Sequence, residues 1–104
     1  MLRKAFVMFL HPGCEDEYAR RHRPIWPDLE RELKAHGASN YSIFLEPASR
    51  RLFAYVEIES EERWSQVANT AACRRWWAHM QDLMDSNADG SPRAETLTEV
   101  FHLA

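Results

Sequence analysis

The stretch Asn40–Ile58, NYSIFLEPASRRLFAYVEI, carries two runs that alternate with a period of two residues. In the first, Tyr41, Ile43 and Leu45 stand against Ser42 and Phe44; in the second, Leu52, Ala54, Val56 and Ile58 stand against Phe53, Tyr55 and Glu57. Successive side chains of a strand point to opposite faces, so Asn40–Leu45 and Leu52–Ile58 read as paired strands. Pro47, Ala48 and Ser49 turn the chain between them. Both faces of this hairpin carry apolar residues. One face is expected to lie under helices. Phe53 and Tyr55 on the other need a second cover, and another copy of the chain is the simplest one.

Upstream of the hairpin, Ala5–Leu10 (AFVMFL) is short and continuously apolar, which reads as a strand buried on both faces. His11-Pro12-Gly13 breaks the chain. A helix is expected over Cys14–His22, its acidic start (Glu15, Asp16, Glu17) matching the positive end of the helix dipole. Pro24 must end or bend it, and Pro27 suits the first residue of a second helix ending at Gly37. Downstream, Ser60 caps a long helical stretch through Trp64, Val67, Trp76, Met80 and Met84, with Asn69 and Thr70 as a potential interruption. Asn87–Pro92 is a polar loop, and Leu97–Leu103 is expected to be the last strand. The order is β-α-β-β-α-β, an α+β, ferredoxin-like arrangement, and residues 1–104 are expected to form a single domain.

Composition narrows the function classes. A formal charge of -3 argues against binding nucleic acid by neutralising phosphates. No apolar run approaches the roughly 20 residues that span a bilayer, and Ala5–Leu10 is too short for a signal peptide, so a cytoplasmic place is expected. Cys14 and Cys73 lack metal-ligand spacing and are expected to be free thiols. The five histidines form no pair of metal-binding type with a close His or carboxylate. Four Trp and three Tyr are a heavy load for 104 residues. Such rings fill cores, and their faces also stack on the C–H faces of sugars.

The densest polar-aromatic stretch is YARRHRPIWP, Tyr18–Pro27. Tyr18 and His22 lie four apart and share a helix face, and Trp26 continues roughly the same line. A helical His of this kind serves either structure or a ligand. The Arg20, Arg21 and Arg23 cluster reads as a solvated face, with a carboxylate or phosphate contact as the alternative. Trp76 and Trp77 point about 100° apart and are not expected to serve one surface: either both serve core and interface packing, or one packs in the core while the other lines a cleft. Tyr41 lies on the buried strand face, where its hydroxyl needs either a structural partner or a substrate.

Several stretches together resemble the L-rhamnose mutarotase family over essentially the whole chain: RKAFVM (Arg3–Met8), EYARRHRPIWPDLE (Glu17–Glu30), AHGASNYSIFL (Ala35–Leu45), VEIESEERW (Val56–Trp64), CRRWWAHM (Cys73–Met80) and TEVFHL (Thr98–Leu103). The resemblance implies a ferredoxin-like protomer in a homodimeric α/β barrel, without cofactor or metal, that interconverts the α and β anomers of L-rhamnose. It implies His22 as the proton donor and Tyr18, Tyr41, Trp76 and Trp77 as the residues that hold the sugar. The second proton acceptor is left between a bound water and Tyr18. A sugar-binding module without turnover is the alternative on the same fold, and a cofactor-free monooxygenase is a third reading.

Overall fold

In a computed structural model describing Met1–Ala104, the central hairpin forms as its alternation requires. Strand β2 (Ala38–Glu46) pairs antiparallel with β3 (Arg51–Ile58), with Leu45 opposite Leu52 and Phe44 opposite Phe53. β1 (Leu2–Phe9) pairs antiparallel with the other edge of β3, and β4 (Ala94–Leu97) with the far edge of β1. The sheet order β2-β3-β1-β4 is that of a ferredoxin-like α+β fold.

Helix α1 (Glu15–Arg21) starts with three acidic residues and ends with two arginines, as the dipole favours. Pro27 opens α2 (Pro27–Ala35), and Gly37 follows it at φ +85°, a left-handed position that suits glycine. A Cβ at Gly37 would also meet the Glu59 side chain at 2.8 Å. The long downstream helix is divided. Ser60 caps α3 (Glu61–Gln66) by accepting from the Arg63 N–H, and Thr70 caps α4 (Ala71–Met80) by accepting from the Cys73 N–H. A 3-10 turn, Val67–Asn69, joins them. The potential break at Asn69 and Thr70 is therefore real, because the Thr70 hydroxyl gives the chain an N-cap to restart on.

Two sequence expectations are corrected. Met84 is not helical: α4 ends at Met80 and passes through a 3-10 turn, after which Met84 bridges to Leu10. The last strand is Ala94–Leu97, not Leu97–Leu103. The apolar residues Val100, Phe101 and Leu103 suggested a strand, but within one protomer they meet no partner and stay exposed. Arg3 pairs with Glu99 at 2.7 Å just where the tail leaves the sheet.

Leu52, Ala54, Val56 and Ile58 of β3 are all at most 2% exposed and lie under the helices. They pack in two clusters that share Phe6 and Leu33 at their margins. The opposite face carries Phe53, Tyr55, Val7 and Phe44, the last 66% exposed. No helix is long and apolar enough to cross a membrane.

Candidate active site

A cavity of about 1030 Å³ opens between the helical layer and the inner face of the sheet. Tyr18, His22, Tyr41, Trp76 and Trp77 all line it. Its wall is mostly apolar, with Met8, Leu10, Ile43 and Leu52 from the strands. Sites for small organic ligands have this character: apolar walls and a few convergent polar groups.

Helix α1 sets the polar centre. Tyr18 is buried, and its ring lies 4.3 Å from that of His22, as their four-residue spacing predicts. His22 is the C-cap of α1, and its Nδ1 lies 2.7 Å from the Tyr18 carbonyl oxygen. A carbonyl oxygen only accepts, so Nδ1 carries the proton and donates it there. In the neutral ring Nε2 is then an unprotonated acceptor. Burial pushes the His22 pKa below 6.5, and the bond to Tyr18 only partly opposes this. The resting imidazole is therefore neutral at pH 7.

Helix α4 supplies the indoles. Trp76 is buried, and His22 meets it edge-on at 5.2 Å and 88°. Trp26, which caps α2, meets the same indole at 5.2 Å and 86°. Trp77 is half-buried and lines the cavity as well. The expectation that the two indoles cannot serve one surface is corrected, because the concave cavity wall reaches around the helix to both, while Trp76 also packs in the core.

Strand β2 supplies Tyr41 next to a bulge between Ser39 and Ser42, where Asn40 takes φ +46°. Tyr41 is 37% exposed as a residue, and it lines the cavity together with Cys73. Its ring packs against Trp64 at 5.8 Å and Phe6 at 6.5 Å. Burial drives the phenols of Tyr41 and Tyr18 well above the ordinary tyrosine range. Both stay protonated at any physiological pH and can donate hydrogen bonds.

Sequence reading missed the Phe6–Trp64 support of Tyr41, because both residues read simply as core. It also placed His79 among scattered histidines. His79 instead lies 5.1 Å from the Trp26 ring and 5.8 Å from Trp76. No group of three His, Cys, Asp or Glu is placed to hold a metal ion. A second, solvent-open depression of about 1000 Å³ is lined by His11, Arg21, His79, Asp82, Asp85 and Arg93 among others, on the outer side of the same helix ends.

The family described as L-rhamnose mutarotase matches residues 3–103. An L-rhamnose mutarotase of Opitutus terrae is 62% identical over 103 residues, covering 99% of each chain. The crystal structure of an L-rhamnose mutarotase from Formosa agariphila superposes with a TM-score of 0.91 at 36% identity, covering all of both chains. A putative antibiotic biosynthesis monooxygenase from Nitrosomonas europaea aligns over 97% of this chain with a TM-score of 0.65. At 12% identity it shares the fold alone.

Proposed function

From the premise that this chain belongs to the L-rhamnose mutarotase family, we propose that the helix–sheet cavity is its active site and His22 its proton-transfer group. The enzyme is an isomerase that interconverts the α and β anomers of L-rhamnose. The observation that carries the site is the 2.7 Å bond from His22 Nδ1 to the Tyr18 carbonyl. With Nδ1 committed to the backbone, Nε2 is the nitrogen available to a ligand in the cavity.

Mutarotation breaks the bond between C1 and the ring oxygen, turns the aldehyde, and closes the ring on its other face. Neutral His22 takes the proton of the anomeric hydroxyl on Nε2 as C1=O forms and the C1–ring-oxygen bond breaks. The imidazolium then donates that proton to the ring oxygen. Both oxygens are bonded to C1, so one imidazole can serve both. Closure runs the same steps backwards after rotation about C1–C2. Tyr18 cannot be the second acceptor, because its phenol is held protonated. It and Tyr41 donate to sugar oxygens, while Trp76 and Trp77 present apolar surface to the C–H faces and the methyl group of a deoxysugar.

The outer sheet face supports a homodimer. Apolar area in water costs about 25 cal/mol per Å², and Phe44, Phe53, Tyr55 and Leu97 form one such face. We place this single-domain enzyme in the cytoplasm. Saturation transfer between the α and β C1 protons of free L-rhamnose tests the activity. Sugar binding without exchange above the buffer rate would instead favour the non-catalytic module.

A further inference from the structure

Arg21 precedes His22 but faces the outer depression, away from the cavity. Its side chain is only 15% exposed. Nε donates to Glu17 at 2.7 Å, within α1. Nη1 donates to the His79 carbonyl in the last turn of α4 at 2.6 Å, and to Asp82 at 3.0 Å; Nη2 reaches the second Asp82 oxygen at 3.3 Å. One planar guanidinium thus joins α1 to the end of α4, a geometry that a lysine ammonium cannot copy.

The link matters because of what each helix carries. α1 is seven residues long, far below the length at which a helix holds itself together. Its position depends on its anchors, and it brings Tyr18 and His22 to the cavity. α4 brings Trp76 and Trp77. The geometry points to Arg21 as a positioning residue for the reaction, a clamp on the outside of the site that holds the His22 ring at its edge-on contact with Trp76. Arg21 does not touch the sugar. It acts through His22, and proton transfer is steep in distance: a displacement of about 1 Å can cost on the order of 10²-fold in rate.

The inference rests on the proposed role of His22, so one of its readouts is independent of turnover. The His22 ring protons lie within the ring currents of Tyr18 and Trp76, 4.3 and 5.2 Å away. In Arg21→Lys those resonances are expected to move toward the values of an unstacked histidine. Turnover at saturating L-rhamnose should fall about tenfold or more, with KM changing less than about threefold, since the groups that hold the sugar remain. Asp82→Asn removes an exposed partner without threatening the core, and should give a smaller shift and loss of the same pattern. Ile58→Val lowers stability from inside the second core cluster, away from the cavity, and should alter neither readout. Folded Arg21→Lys with wild-type ring-proton shifts and turnover would overturn the clamp. So would an equal loss of turnover in Ile58→Val at a matched fall in Tm. Absent exchange in the wild-type protein would remove the activity reading, while the ring-proton shifts would still decide whether Arg21 places His22.

Discussion

Replacing His22 by asparagine is the sharpest test of the site. The carboxamide retains an N–H that can be directed at the Tyr18 carbonyl, but it has no nitrogen that titrates near neutrality. Positioned acid-base groups contribute typically 10²–10⁴-fold. At about 1.36 kcal/mol per tenfold, the lower end corresponds to roughly 2.7 kcal/mol of barrier. His22→Asn is therefore expected to slow anomer exchange about 10²-fold or more. Sugar affinity should fall much less, because Tyr18, Tyr41, Trp76 and Trp77 remain on the cavity wall. The fold provides an internal control. His36 closes α2 with the same bond, its Nδ1 2.8 Å from the Glu32 carbonyl four residues back, but it does not line the cavity. His36→Asn makes the same change at an equivalent helix-ending contact and should leave exchange intact. His102 in the exposed tail is a second neutral control, whereas His79 packs on Trp26 and Trp76 and is not one. Exchange would be followed by saturation transfer, and binding by titration. A folded His22→Asn protein that exchanges anomers at near the wild-type rate would refute the assignment.

The acid limb of kcat/KM should lie below pH 6.5, because burial lowers the His22 pKa and the neutral ring is the working form. The same shift makes the unfolded chain bind more protons between the folded pKa and 6.5, so stability should rise with pH through that window; an acid limb above 6.5 would contradict both. L-Rhamnose should change the tryptophan fluorescence, and an identical sugar response in Trp76→Phe, Trp77→Phe and the double variant would take both indoles out of the site. Sedimentation should show a dimer at micromolar protein and a shift toward monomer in Phe44→Asp, whose side chain lies on the outer sheet face. Exhaustive chelation should leave exchange unchanged; loss of activity with recovery on one added metal would overturn the metal-free reading.

What could be read from the sequence followed the range of the interaction. The central strands were legible because a two-residue period survives wherever one sheet face is buried, and β3 buries every second residue from Leu52 to Ile58. The caps at Ser60 and Thr70 are local chemistry and were visible, or half visible, as such. Tyr18 and His22 could be paired because a helix turns four residues back onto one face. The bonds from Arg21 to His79 and Asp82 span 58 and 61 residues and leave no periodic trace, so the arginines read first as a solvated face, with a carboxylate contact only as the alternative and its partner unnamed. The tail failed for the opposite reason. Val100, Phe101 and Leu103 have strand-like chemistry, but a strand exists only where another edge receives it, and one protomer offers none there.

A small domain can carry this reaction because the reaction asks for little. The ring of a free sugar already opens in water, and an acid-base factor of 10²–10⁴ corresponds to only about 2.7–5.4 kcal/mol. One imidazole with a fixed tautomer and a lowered pKa can supply that much, provided water is held away and the sugar is held still. The remaining parts of the site serve those two conditions. Two phenols kept protonated by burial can hydrogen-bond the sugar but are poor bases, so they do not compete with His22 for the proton. The indoles and strand side chains give an apolar wall in which hydrogen bonds to the sugar are stronger than in water. With His22 as the proposed proton-transfer group, the acid-base chemistry rests on one short helix, and the accuracy of that helix's placement becomes the quantity on which the rate is expected to depend.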